Sequence, residues 1–285
     1  MIRILHVLNN LSISNGIANV IINYLRVIDR NQVNFDFLIY ENQSDLSFEN
    51  EIRRFGCRIF YMPKLNVFNF VAFIKYLNCF FKKNSEIYKA IHLHEHVIGS
   101  LVFYIAKKYG VVNRILHSHN PALSDSYIKS LRNSILCIGL IGSATKFLSC
   151  SYESGHFLFG DKICKSDNFR ILYNAIDFKK YCYDENIRLQ VRSRLGLQNY
   201  IVIGHVGGFR KQKNHIFLIK VFKQLKNICP NSKLLLVGNG ELKDKELKQV
   251  NEIKIAGNNL LSIINDILDM SRIESGKVKL EESTV

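Results

Sequence analysis

The seven cysteines (Cys57, Cys79, Cys137, Cys150, Cys164, Cys182 and Cys229) include no C-x-x-C pair and no regular spacing. That pattern argues against a disulfide framework and against a cysteine-held metal, and a reducing compartment fits it best. Acidic residues are scarce, 24 against 39 Lys and Arg, which leaves a formal net charge of +15. Such a balance favours anionic partners: nucleotides, anionic lipid headgroups or nucleic acid. No clustered Arg/Lys face with interleaved aromatics appears, which argues against nucleic acid. Basic residues are spread along the chain, with a short concentration at Lys243–Lys254. The opening MIRILHVLNN is too short and polar for a secretory signal and reads as a first strand. The most apolar run, VFNFVAFIKYLNCFF (67–81), is interrupted by Lys75 and Asn78 and is shorter than a bilayer span. It is expected to form a buried or interfacial helix. Internal repeats and low-complexity tracts are lacking too.

What remains describes a folded globular chain. Its 285 residues suffice for two domains, and 47% hydrophobic with 22% charged residues excludes disorder. Strand and helix signals alternate from the start: strand Ile2–Leu8, helix Gly16–Ile28, strand Phe35–Tyr40, helix Leu46–Phe55, strand Arg58–Met62, helix 67–82. Strand Ala90–His94, helix Val97–Tyr109 ending at Gly110, strand Asn113–His119, helix 124–140, strand Lys146–Cys150, helix 152–159 and strand Phe169–Tyr173 follow. Repeated β-then-α alternation argues for a doubly wound parallel sheet, an α/β Rossmann-like fold. In that architecture ligands sit at the carboxyl ends of strands, where His94, His117, His119 and Ser151 would lie. A polar, charged link over Asn174–Leu197 then precedes a second βαβ segment.

That second segment, residues 200–241, carries the clearest chemistry. Tyr200–Val206 is a β-branched apolar run stopping at Gly207-Gly208. Asn214 opens a helix with Phe217, Leu218, Val221, Phe222 and Leu225 at helical spacing, and Lys233–Val237 gives the next strand. Arg210, Lys211 and Lys213 stand just before the helix N-terminus. Backbone N–H groups, helix dipole and fixed cations converge there, which suits a phosphate. The alternative reading of the same residues is a solvated basic turn.

The ordered motifs IRILHVLNNL…NGIANVIINYLRVIDR, FDFLIY, IHLHEH, NRILHSHNP, FLSCSYESGHFLFG, ILYNAIDFKKY, RSRLGL and GHVGGFRKQKNHIFLI…LLLVGNGEL span residues 1–242. Together they resemble the nucleotide-sugar-dependent, retaining glycosyltransferases of the GT-B fold, family 4, nearest the capsular and exopolysaccharide branch. The resemblance implies two Rossmann-like domains, with the acceptor side over 1–173 and a nucleotide-sugar-binding domain over 174–250. It implies Gly16 and its loop near the donor, although Asn15 stands where the family usually has a second glycine. It also places a sugar-contacting histidine at the end of HSHN, His119 ahead of His117. An imidazole there can hydrogen-bond a sugar hydroxyl and support an oxocarbenium-like transition state.

Ser151 is expected to cap its helix or to bond an acceptor hydroxyl, and Asn174 is expected to mark the interdomain crossing. Lys213 matches the family lysine that neutralises the donor diphosphate. The family's partner arginine lies five positions earlier, where this chain has Gly208, so Arg210 is the candidate stand-in. Gly238 and Gly240 match the turn that approaches the nucleotide. No cofactor and no metal are implied: the nucleotide sugar is a co-substrate, and basic side chains with helix dipoles neutralise its diphosphate. The acceptor is expected to be a saccharide or a lipid-linked one. The place is expected to be the cytoplasm, peripheral to the inner face of the membrane, where positive charge meets anionic lipid.

The family pattern stops near residue 250. The run LLSIINDILDMSRIESGK within 251–285 resembles the dimerisation helix of sensor histidine kinases, so a helical tail is expected there. Its kinase partner motifs are missing. The second Rossmann-like domain is therefore expected to be truncated and marginal, and the transferase activity impaired. Two alternatives stand beside glycosyl transfer: a histidine-kinase fragment defined by its tail, and a non-catalytic nucleotide- or sugar-binding remnant.

Overall fold

A computed structural model of the chain describes residues 1–40, 46–66, 68–119, 139–238, 240 and 242. The chain divides into two compact units, Met1–Lys180 and Tyr181 onward. The expected helix over 124–140, apart from its last two residues, and the expected tail over 251–285 lie outside the described residues.

In the first unit the strands are β1 (Ile2–Val7), β2 (Val33–Tyr40), β3 (Ile59–Met62), β4 (Tyr88–Leu93), β5 (Asn113–Ser118), β6 (Lys146–Ser149) and β7 (Phe169–Ile171). They form one seven-stranded sheet in the order β3-β2-β1-β4-β5-β6-β7. Every pairing is parallel. The helices between them are α1 (Gly16–Val27), α2 (Glu49–Arg54), α3 (Phe70–Asn84), α4 (Gly99–Lys108) and α5 (Tyr152–Cys164). The α/β doubly wound sheet that the alternation predicts is the one observed, and element ends move by a few residues, as helix fraying allows. The largest shift is α5, thirteen residues long where 152–159 was expected, and α2 is six residues long where ten were expected.

Alternation along the strands sorts side chains to two faces. One face carries Leu5, Val7, Leu38, Ile91, Leu93 and Leu116 and packs on Phe73, Leu77, Phe81, Val102 and Phe103 of α3 and α4. The opposite face carries Phe35, Phe37 and Ile39 and packs on Ile21, Ile22 and Leu25 of α1 and Ile52 of α2. Gly155 of α5 faces Phe169 so closely that a Cβ would sit 2.8 Å from the ring. No helix among the described residues is long and apolar enough to cross a membrane.

The second unit begins with a helix that the sequence reading took as link: α6 (Glu185–Arg194), capped by Asp184, which accepts from the Ile187 amide. Strands β8 (Ile201–Val206) and β9 (Ser232–Val237) pair in parallel across α7 (His215–Ile228), the expected βαβ unit.

Candidate functional site

Five histidines gather on the α1 face of the first sheet. His6 lies on β1, His92 on β4 and His117 on β5, with His94 and His119 each one residue beyond β4 and β5 respectively. They share a face because strand side chains repeat every second residue. His6 stands opposite His92 in the β1–β4 register. His6 Nδ1 is 3.1 Å from His94 Nε2, and His94 Nδ1 is 2.7 Å from His119 Nε2. His92 Nε2 is 3.0 Å from His117 Nδ1, and the two rings lie nearly parallel. A sixth ring, His96, donates from Nε2 to the His117 carbonyl at 3.2 Å.

The five rings other than His96 line a cavity of about 170 Å³ with Val20, Ile21 and Tyr24 of α1. Burial disfavours the charged imidazolium throughout. Burial first, then the neighbouring His117, lowers His6 to about 3. Burial and His96 lower His119 to about 4. Burial and neighbouring histidines hold His92, His94 and His117 well below the ordinary histidine range. The set is therefore neutral at pH 7. His6 Nε2 and His117 Nε2 are buried with no hydrogen-bond partner among the described residues. His117 is 1% exposed, whereas His119 is half-buried and the more accessible of the two histidines singled out by the sequence.

The other first-unit candidates lie at the loop-to-helix junctions after β1 and β6. Asn15 caps α1, accepting from the Ile17 amide at 3.0 Å and the Ala18 amide at 3.5 Å. Gly16 follows it, and a Cβ there would meet nothing within 4 Å. Ser151 caps α5 in a reciprocal box with Ser154: each hydroxyl accepts from the other residue's amide, at 3.2 and 3.3 Å. The Ser151 hydroxyl is thus committed to the helix end.

The second unit builds a loop between β8 and α7. Phe209 is buried and stacks on His215 with ring centroids 4.3 Å apart. Lys211–Lys213 form a single 3₁₀ turn, and Asn214 adopts a left-handed φ of 46° while capping α7 through the Phe217 amide. Asn tolerates that conformation better than most residues. Arg210 and Lys213 are exposed, with no acidic partner among the described residues. The Lys213 stem runs past Gly207: a Cβ there would lie 3.5 Å from Cδ of the lysine. Burial, His205 and the Lys213 charge hold His215 below the ordinary histidine range.

Gly238 and Gly240 close the loop from the other side. A Cβ on Gly238 would sit 2.0 Å from the Gly207 carbonyl oxygen, and one on Gly240 2.6 Å from the Phe209 carbonyl oxygen. Only glycine lets these two backbones touch. The structure thus brings Arg210, Lys213, Gly238 and Gly240 to one loop cluster, and His117 and His119 to another in the first unit. Sequence reasoning did not single out His6, His92 and His96; the signal available for the last two was the H-x-H-x-H spacing of residues 92–96.

No protein-family model matches the chain. It is 29% identical over 243 residues to EpsF of Bacillus subtilis, named as a glycosyltransferase, covering 84% of this chain and 62% of that one. It is 29% identical over 155 residues to the N-acetylgalactosamine-N,N'-diacetylbacillosaminyl-diphospho-undecaprenol 4-alpha-N-acetylgalactosaminyltransferase of Campylobacter jejuni, covering 53% of this chain and 40% of that one. The chain thus spans less than two thirds of the length of these curated relatives. Among solved structures, Anabaena HepE in complex with UDP-glucose superposes with a TM-score of 0.69 at 18% identity, covering 90% of this chain and 67% of that one. The α/β architecture, with its parallel Rossmann-like sheet, is shared with the HepE structure and is of the GT-B type.

Proposed function

We propose that the chain belongs to a glycosyltransferase that moves a sugar from a nucleotide-diphosphate donor to a saccharide or lipid-linked acceptor. The observation that carries this reading is the similarity to EpsF, which runs over 243 residues. Donor binding falls to the β8–α7 loop. Lys213 supplies the fixed cation, Arg210 the stand-in guanidinium, and the α7 N-terminus the positive end of its dipole. Gly238 and Gly240 keep that loop packed. His119 is the residue assigned to the transferred sugar, ahead of the more buried His117. Being neutral at pH 7, it acts there as a hydrogen-bonding group and not as a cation. Gly16 and Ser151 remain the donor-side and acceptor-side candidates of the first unit, Ser151 with its hydroxyl already engaged.

The finer assignments rest on the family 4 resemblance: retention of configuration, diphosphate neutralisation without metal, and a role in surface polysaccharide synthesis. The HepE complex makes UDP-sugars the first donors to try, and the Campylobacter relative's name makes a polyprenyl diphosphate-linked saccharide the first acceptor. The test is calorimetric titration of UDP and GDP, and their glucose and N-acetylhexosamine conjugates, into the full chain. Losing one charge-assisted phosphate contact costs about 1.5–3 kcal/mol, so Lys213→Ala is expected to weaken nucleoside-diphosphate binding by roughly 10–100-fold. Arg210→Ala is expected to weaken it less. Unchanged affinity in both variants would remove the diphosphate site from this loop.

Peripheral membrane contact belongs to the same reading. Phe68, Phe70 and Val71 are exposed at the start of α3, between the exposed Lys64 and Lys75. Apolar side chains flanked by lysines suit an anionic interface. Co-flotation with phosphatidylglycerol vesicles that is lost in Phe68→Ser/Val71→Ser is the expected result; no flotation of the unaltered chain counts against it.

A further inference from the structure

We propose that His94, His117 and His119 form a binding site for one borderline-soft divalent cation of the zinc class. One ring nitrogen from each residue lies within 4.8 Å of the other two. Nitrogens around a tetrahedral zinc stand roughly 3.3 Å apart, given Zn–N bonds of about 2.0–2.1 Å. The longest edge closes by at most about 1.5 Å and the 2.7 Å edge between His94 and His119 opens by about 0.6 Å, changes that ring rotation supplies. Imidazole is the ligand class that zinc, copper and nickel accept, and three such ligands leave a fourth position for water or an incoming oxygen.

The outer contacts are those of a metal centre. His94 holds its other nitrogen, Nε2, 3.1 Å from His6 Nδ1. His117 holds Nδ1 3.0 Å from His92 Nε2. Ligating histidines characteristically hydrogen-bond through their second nitrogen, which fixes tautomer and ring orientation, and here a neutral imidazole takes that place. His117 Nε2 is left buried without a partner among the described residues, a lone pair that a cation would satisfy. Between His94 Nδ1 and His119 Nε2, now 2.7 Å apart, the cation would replace a shared proton. A second grouping, His6, His92 and His94, meets the same distance criterion, but all three of its members are buried. His119 is half-buried and lines the cavity, so the first grouping has the route of entry. The site shares His117 and His119 with the proposed sugar contact, but it does not rest on that reading or on the β8–α7 loop, because cation uptake is measured with no nucleotide sugar present.

The experiment is titration of the full chain, stripped with chelator, with ZnCl2 alone. One equivalent is expected to bind. His119→Gln and His117→Ala are each expected to weaken binding by at least tenfold, and His92→Ala, an outer partner, by roughly 10–100-fold. Because the His117 change can unfold the unit, Co²⁺ loaded into the unaltered chain gives a separate reading. An intense visible spectrum of four-coordinate cobalt is expected. A weak six-coordinate spectrum, no stoichiometric uptake, or undiminished affinity in His119→Gln would each overturn the site.

Discussion

Lowering the pH from 7.5 to 5.0 is expected to strip several kcal/mol of stability from the first unit. His6, His92, His94 and His117 are all buried, and all are held well below the ordinary value of 6.5, His6 to about 3. The sign follows from linkage. The folded-state pKa values are depressed, so below about pH 6.5 the unfolded chain binds protons that the folded chain refuses. Stability is fully present above that value and falls as the pH drops from 6.5 toward the folded values. Each proton costs about 1.4 kcal/mol per pH unit, or about 2 kcal/mol per histidine by pH 5. Three or four such groups amount to about 6–8 kcal/mol, comparable with the whole stability of a domain. Glu95, whose carboxyl burial pushes up, works in the opposite direction, one group against four. Urea midpoints followed by hydrogen exchange of the β1, β4 and β5 amides would measure it. A midpoint flat from pH 7.5 to 5.0 would show that the histidines take up protons without unfolding. His92→Phe is expected to reduce the slope by one proton.

That network marks the limit of what the residue order discloses. His92 and His94, or His117 and His119, plainly share a face, because two residues apart on a strand means one side. Nothing in the sequence says that β1 lies between β2 and β4. His6 therefore could not be placed opposite His92 until strand order and register were known. The βαβ unit at 201–237 was legible because Phe217, Leu218, Val221, Phe222 and Leu225 recur at helical spacing and glycines follow both strands, although α7 buries Ile219 and Phe222 and leaves Phe217 and Val221 exposed. Helix α6 was not, since none of its residues is buried and it carries no such stripe. Its start was written in Asp184, a capping residue three positions before the amide it bonds, and its end in Gly196, with a positive φ of 60°. Likewise, Ser151 was readable as a cap from its place just before the helix, whereas the contact of Gly238 with Gly207 depends on two turns meeting in space.

Asp36→Ala is expected to cost the first unit about 3 kcal/mol, lowering its melting temperature by about 6–12 °C. Asp36 is fully buried in β2, with both oxygens occupied. Oδ1 accepts from Arg3 Nη1 at 2.7 Å and from the Arg58 amide at 2.8 Å. Oδ2 accepts from Arg58 Nε and Nη2 at 2.9 and 2.6 Å and from the Tyr88 hydroxyl at 3.1 Å. One carboxylate therefore ties together β1, the approach to β3, and the start of β4. Burial and the Asp36 charge push the Tyr88 phenol above its ordinary range, so it remains a donor at every pH of interest. Removing the carboxylate strands two guanidinium groups and a phenol around an apolar methyl. The Arg3 and Arg58 side chains are 19% and 40% exposed, so water recovers part of the loss, which sets the estimate at the low end for a broken buried pair. Asp36→Asn keeps the shape and the contact with the Arg58 amide but loses the charge, and an intermediate cost is expected. A urea midpoint for Asp36→Ala within about 0.5 kcal/mol of the unaltered chain, the range of ordinary surface substitutions, would mean that these contacts organise the strands without holding them.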